Sequence, residues 1–321
     1  MKNSQKSTKN TSSILARAKG PVTIPLTNDY LFRALLQKNN HVLKGLICSL
    51  LHLPPSDVTS VEITNPIELG ASIDDKTFFL DIKLILNNYT IVNLEMQVIN
   101  EHNWQERSLT YLCRSFDNLN SGEPYQNVKP AIQIGFLDFT LFPEHPEFFA
   151  TYKFLNVKNH LLYSDKIQLS VLDLTCIHLA TEEDKFYQID YWASLFKAAT
   201  WEEIKMLASK NKYIEEASET IYKLSLKEKI RLQCEAREDY YRRQKSMQLM
   251  REQQLAEIEK QSSQIEQQNS EIERQNSEIE RQNSEIEKQN SKIEKQAAII
   301  QQKESAYNDL LSWAKAHGYK A

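Results

Sequence analysis

Glycine and proline are scarce, six and nine in 321 residues. So few chain-breakers exclude a collagenous or loop-built molecule. Cysteine is scarcer still: Cys48, Cys113, Cys176 and Cys234 stand apart, with no two spaced as a zinc knuckle or a redox pair. Three of the four lie in apolar runs, where a buried free thiol is the ordinary state, and this fits a reducing compartment. The seven histidines show no paired ligand spacing. No apolar run approaches the length of a membrane span, and residues 1–20 contain none, so the expectation is a cytoplasmic protein without a membrane anchor. An excess of positive charge is also missing. The formal net charge is −4, so any surface that attracts a polyanion must be local.

What is present is the texture of a soluble protein, 41% hydrophobic, 26% charged and 9% aromatic, in a chain long enough for two domains. Residues 1–20 hold Lys2, Lys6, Lys9, Arg17 and Lys19 and no acid, among Ser, Thr and Asn. They read as a disordered basic tail, a solvated end in preference to a phosphate-seeking arm. From Pro21 the pattern is globular. Phe32, Leu35 and Leu36, then Val42, Leu43, Leu46, Leu50 and Leu51, recur at helical spacing, which predicts two helices broken near residues 38–40 and ended by Pro54 and Pro55. Strands are expected at 58–66, 77–86, 90–99, 131–139, 148–157 and 167–173, a helix at 104–119, and mostly helix over 182–245. That order predicts an α/β or α+β layer architecture around one sheet, occupying residues 21–245.

Beyond it the character changes. Ile265, Ile272, Ile279, Ile286 and Ile293 fall every seven residues, and so do Asn269, Asn276, Asn283 and Asn290, with no Pro or Gly between them. With Asn at heptad position a and Ile at d, residues 246–303 predict a coiled coil and hence a parallel homodimer, because Asn at a favours two strands. The stretch from Leu255 to Ile300 would be about 70 Å long as a helix. A slip of seven residues restores nearly every Asn pair, so register falls to the irregular ends, Leu255 with Ile258 and Ala297 with Ile300. Residues 304–321 form a C-terminal tail.

The chemistry is concentrated between residues 73 and 98. Alternation places Leu80, Ile82, Leu84 and Leu86 on one strand face and Asp81 with Lys83 on the other; on the next strand Leu94, Met96 and Val98 oppose Asn93, Glu95 and Gln97. A three-residue connection, Asn87 to Tyr89, pairs Leu86 with Thr90, hence Lys83 with Asn93 and Asp81 with Glu95. The two carboxylates then stand directly opposite, about 5 Å apart at Cβ, an arrangement that is unfavourable without a cation between them. A two-residue loop would separate them onto opposite faces. Asparagine tolerates the left-handed backbone that the longer loop needs.

These segments resemble the recombination-promoting nuclease and transposase-like family within the PD-(D/E)XK nuclease superfamily. The matching pieces are Asn28-Asp29-Tyr30-Leu31-Phe32-Arg33, Phe79-Leu80-Asp81-Ile82, Val92-Asn93-Leu94-Glu95-Met96-Gln97 and Arg107-Ser108-Leu109-Thr110-Tyr111, with fainter likeness around Asp190-Tyr191-Trp192 and Ile214-Glu215-Glu216-Ala217. The likeness spans roughly residues 22–245. It implies a restriction-endonuclease-like mixed sheet flanked by helices, an active site at one end of the central hairpin, and DNA as the partner. It implies that Asp81 and Glu95 hold a divalent ion, Mg²⁺ by its preference for hard oxygen ligands. Gln97 stands where the superfamily usually has lysine. Glutamine orients water but brings no charge to a phosphorane, and Lys83, on the Asp81 face, is a candidate for the displaced cation.

Three further residues have two readings each. Asp29 is a first-turn helix acid, worth about 1 kcal/mol, or an added site carboxylate. Arg107 and Tyr111, at i and i+4 on one helix face, touch DNA phosphate, or Arg107 orients Glu95. Asp74 and Asp75 read as loop acids. The expected activity is Mg²⁺-dependent DNA endonuclease cleavage linked to recombination or mobile elements. The alternative is a catalytically impaired, nuclease-derived interaction module working through its coiled coil. An RNA-directed nuclease is the weaker third reading, since no aromatic stacking platform for single strands is evident.

Overall fold

The computed structural model describes residues 14–67, 69 and 81–318. Two units are distinguished, residues 1–246 and 247–321. Among the described residues no helix is long and apolar enough to cross a membrane.

The first unit opens with two helices, α1 (Asp29–Lys38) and α2 (Asn40–Leu50). Both starts are capped by asparagine: Asn28 Oδ1 accepts from the Leu31 amide, and Asn39 Oδ1 accepts from His41 and Val42. A six-stranded mixed sheet follows, formed by β1 (Val61–Ile63), β2 (Ile82–Leu86), β3 (Thr90–Gln97), β4 (Ala131–Leu137), β5 (Phe149–Leu155) and β6 (Leu162–Asp173). The spatial order is β1-β2-β3-β4-β6-β5. The central pairs β3–β4 and β4–β6 are parallel, while β1–β2, β2–β3 and β5–β6 are antiparallel. The chain crosses from β3 to its parallel neighbour β4 through α3 (Trp104–Phe116). After the sheet come α4 (Glu182–Phe186), α5 (Ile189–Lys197), α6 (Trp201–Ala208), α7 (Lys212–Ser225) and the long α8 (Glu228–Ala316). The expected mixed α/β architecture is therefore present. The strand segment at 77–80, with Asp74 and Asp75, lies outside the described residues.

Both faces of the central strands are covered, so burial along β3 is nearly continuous and not alternating. On one face Leu94, Met96, Ile134, Phe136 and Leu172 pack under Phe32 and Phe196, with the Phe32 and Phe136 rings 5.0 Å apart. On the other face Leu137 and Val171 pack beneath Trp104 of α3. The end of the segment read as a basic tail departs from that reading. Leu15 and Ala18 are buried, the Trp201 amide donates to the Gly20 carbonyl at 2.9 Å, and Val22 donates to Ala199 at 2.8 Å. Two apolar side chains in an otherwise polar stretch found room on the helical layer, a long-range gain that local composition does not register.

In the second unit α8 continues as helix from residue 247 to Ala316. Ile265, Ile272, Ile279, Ile286 and Ile293 are all more than half exposed in the single chain.

Candidate active site

The hairpin β2–β3 sets the site. Its connection is three residues long, and Asn87 and Asn88 adopt left-handed φ values of 52° and 60°. Asn87 fixes the turn from outside: its Oδ1 accepts from the Thr59 amide at 2.7 Å, and its Nδ2 donates to the Asp57 carbonyl at 2.7 Å. Leu86 pairs with Thr90, Lys83 with Asn93 and Ile82 with Leu94. Asp81 enters one residue before the ladder begins. It lines a cavity of about 250 Å³ together with Glu95, Gln97, Asp29, Arg107 and Tyr111.

Asp81 is anchored by its backbone. Asn65 Nδ2 donates to its carbonyl at 3.1 Å, and a fully buried Arg33 on α1 donates to the same carbonyl and to that of Asn65. Asn65 also accepts from the Lys83 amide at 2.9 Å. The carboxylate of Asp81 faces Asn93. That amide lies 2.9 Å from Asp81 Oδ2 on one side and 2.9 Å from Gln133 Oε1 on the other; its nitrogen donates to Gln133 in one orientation and to the Asp81 carboxylate in the other.

Glu95 is 4% exposed and has two partners. Arg107 Nε donates to its Oε1 at 2.6 Å, and Gln133 Nε2 to its Oε2 at 3.4 Å. Arg107 reaches it because α3 lies close on the sheet. Gly135 is the residue of β4 beside Glu95, and a Cβ there would sit 2.1 Å from Trp104 Cζ2. The missing side chain thus seats the indole at the start of α3, and Arg107 follows one turn later. Its guanidinium lies 5.2 Å from the Tyr111 ring centre, the i, i+4 neighbour on the same face.

The far wall comes from α8. Arg237, Tyr240 and Tyr241 line the same cavity. Arg237 Nε and Nη2 donate to the two carboxylate oxygens of Asp29 at 3.0 and 2.5 Å, and its guanidinium stacks on Tyr240 at 4.6 Å. Asp29 therefore sits in the first turn of α1 at the cavity wall with both oxygens engaged. Gln97 also lines the cavity, with its amide donating back to the Ile99 carbonyl at 3.1 Å. Lys83 is not among the lining residues.

The electrostatics follow from this enclosure. Burial pushes the Asp81 carboxyl above its ordinary value, against the lowering effect of its own backbone hydrogen bond and of Arg33, Arg107 and Lys83. Burial likewise raises Glu95, with Arg107 opposing and the Asp81 charge adding to the rise. For Arg107, burial alone would lower the pKa; Glu95, by charge and hydrogen bond, carries it above the ordinary value. The wall carries four acids, Asp29, Asp81, Glu95 and Glu101, against two arginines, Arg107 and Arg237. Arg237 pairs with Asp29 and Arg107 with Glu95, while Glu101 is exposed; Asp81 is the partly buried acid of the wall without an ion pair among the described residues.

A model of the PD-(D/E)XK nuclease family transposases matches residues 26–250. The chain belongs to this family. None of the curated proteins or solved structures compared with the chain matched it. Every lining residue of the cavity falls inside the family match. In this nuclease family member the sequence pattern marked Arg33 within a family-like segment but gave it no role, and it did not mark Asn65, Gln133, Arg237, Tyr240 or Tyr241. Gln133 carried a usable signal, a polar side chain in the middle of a buried strand. Arg237 and the two tyrosines carried none, because their helix is polar on most of its faces.

Proposed function

We propose that this chain is a metal-dependent nuclease that cleaves the phosphodiester backbone of DNA at the cavity between β2–β3, α3 and the start of α8. The single observation that carries the proposal is the convergence of Asp81 and Glu95, both raised in pKa by burial, on one acid-rich cavity. Among the described residues no group of three or more His, Cys, Asp and Glu side chains forms a ready-made cage. Two carboxylates nevertheless suit Mg²⁺, which usually takes one or two protein carboxylates and fills its shell with water and substrate oxygen. Asp81 and Glu95 would hold it. When bound, the ion supplies positive charge that polarises the scissile phosphate and eases deprotonation of the attacking water.

The other residues support that pair. Gln133 donates to Glu95 and in turn accepts from Asn93, so a chain of neutral amides holds this end of the hairpin without adding charge to the site. Arg33 fixes the backbone from which Asp81 projects. Gln97 is placed to orient water and has no charge to give. Tyr111 and Arg107 face the space a phosphate would enter.

The heptads of the second unit support dimerisation through a parallel coiled coil, which would provide two sites for the two strands of a duplex. Work on recombination or mobile elements is the biological setting that the transposase family supports. The test is plasmid nicking by the purified full chain with and without Mg²⁺. Cleavage that requires the ion and disappears in Asp81→Ala supports the proposal. Cleavage that persists in Asp81→Ala removes it and leaves the interaction-module reading, which the neutral Gln97 favours.

A further inference from the structure

The cavity lacks a positive charge where the Glu95-Met96-Gln97 segment would otherwise supply one. Gln97 is neutral and turned back onto the Ile99 carbonyl. Lys83, the sequence-based candidate for the replacement, sits on β2 opposite Asn93, two residues into the hairpin from Asp81, and does not line the cavity. Arg107 does line it. We infer that Arg107, delivered by α3, is the catalytic cation of this site and contacts the non-bridging oxygens of the scissile phosphate. The inference rests on the nuclease reading above and adds to it the residue that stabilises the transition state.

Three features of Arg107 carry this. First, its attachment uses one edge only. Nε donates to Glu95 Oε1 at 2.6 Å, and among the described residues no acceptor is hydrogen-bonded to its two terminal amino groups. A guanidinium held by one nitrogen presents the remaining donors as a fixed fork, and that fork matches two oxygens of a phosphate. Second, its position is set by packing. Trp104, seated over Gly135, fixes the start of α3, and the Tyr111 ring supports the guanidinium from the side. Preorganised charge of this kind stabilises a transition state without reorganisation at the moment of reaction. Third, its partner is one of the two carboxylates proposed to hold the metal, so the charge stands beside the place where the phosphate is bound. Arg237, the other arginine on the wall, has two nitrogens committed to Asp29 and is tied to the fold instead.

A purely positioning role, in which Arg107 only orients Glu95, predicts different behaviour. The experiment uses the full chain, supercoiled plasmid and a Mg²⁺ titration, with thermal melts as a folding control. The proteins are the parent, Asp81→Ala, Arg107→Met, Lys83→Met, Gln97→Lys and the double variant Arg107→Met with Gln97→Lys. Arg107→Met is expected to lower the nicking rate at saturating Mg²⁺ by about 100-fold, the scale for removing one preorganised transition-state donor. The Mg²⁺ concentration at half-maximal rate should move less than about threefold, since no metal oxygen is removed. Adding Gln97→Lys to Arg107→Met should recover at least about tenfold by returning a cation to the cavity. A positioning role gives the opposite split: the Mg²⁺ midpoint moves, saturation restores the rate, and Gln97→Lys rescues nothing. That result overturns the inference, as does a loss in Lys83→Met larger than that in Arg107→Met. Parent cleavage that depends on Asp81 but is matched by Arg107→Met removes the inference alone. A parent without Asp81-dependent cleavage removes the nuclease reading and this inference with it.

Discussion

Asp29 and Arg237 are 208 residues apart in the chain and form a two-point ion pair at the wall of the cavity. The pair joins the first turn of α1 to α8, and Asn28 reinforces it by donating to the Cys234 carbonyl at 3.1 Å and to Glu238 at 2.7 Å. Asp29 is 6% exposed, and Glu95 and Asp81 share its cavity, yet its oxygens are already satisfied. Removing it leaves Arg237 largely buried without its counter-charge. Asp29→Ala should therefore cost about 3 kcal/mol in chemical denaturation. The double variant Asp29→Ala with Arg237→Met should cost less than the sum of the two single variants, by about 1 kcal/mol or more. Strict additivity would show that the pair does not brace the fold.

Arg33 makes a second long-range brace. It is fully buried on α1 and donates to the carbonyls of Asp81, which directly precedes β2, and of Asn65, just past the end of β1. Arg33→Met removes the donors and leaves buried carbonyls underserved, a loss of about 3 kcal/mol. Arg33→Lys should recover only part of that, because one ammonium does not span two carbonyls as a planar fork does. Urea unfolding of the three proteins measures it. Equal stability of the methionine variant and the parent would show that Asp81 is held by other means.

Gly135 connects packing to chemistry. An added Cβ meets Trp104 Cζ2 at 2.1 Å, and the indole is buried between α3 and the sheet. Gly135→Ala should lower stability by about 1–3 kcal/mol, the usual cost of overpacking. It should also slow cleavage, since the helix that must shift carries Arg107. A variant that melts like the parent and cuts like it would mean that α3 is not seated through this contact.

The hairpin was legible in the sequence because its determinants are local. Alternation gives the faces, and Asn87-Asn88-Tyr89 gives the loop length, from which the pairing of Lys83 with Asn93 follows. The helix caps were legible for the same reason, as at Asn28 and Asn39. Full burial of β3 was not legible, because α3 covers the Glu95 face and the polar residues there are satisfied by one another. The wall formed by Arg237, Tyr240 and Tyr241 was hidden too. Nothing in a polar helix of lysines, arginines and glutamates says that one turn of it closes a cavity some two hundred residues earlier in the chain.

The heptads predict assembly. Ile272 and Ile279 are 51% and 52% exposed in the single chain, and a helix this polar gains its stability by burying such a seam against another. The full chain, 37.4 kDa as a monomer, should scatter light as a dimer at micromolar concentration. Ile272→Lys with Ile279→Lys should shift it toward the monomer by placing charge at two consecutive d positions. A parent that remains monomeric under these conditions rules out the coiled-coil dimer.

The metal site makes a prediction that needs no cleavage. Asp81 and Glu95 are raised in pKa by burial, so their charges destabilise the fold while no cation is present. The sign follows from linkage. A carboxyl with a raised folded pKa weighs on the folded state at neutral pH, and that burden lifts as pH falls through the folded value toward the ordinary carboxylate range near ~4. Asp81→Asn removes one charge at nearly constant shape and should melt higher than the parent in EDTA at pH 7. The gap should close as pH is lowered. Mg²⁺ should raise the parent's melting temperature, by an amount equivalent to about 2.7 kcal/mol at a hundred times the dissociation constant. Asp81→Asn should lose most of that rise, since an amide offers the ion a neutral oxygen in place of an anionic one. Differential scanning fluorimetry over a Mg²⁺ series, at two pH values, gives all three comparisons. An equal Mg²⁺ shift in both proteins would place the ion elsewhere, and a lower melting temperature for Asp81→Asn in EDTA would mean that the Asp81 charge stabilises the fold without metal.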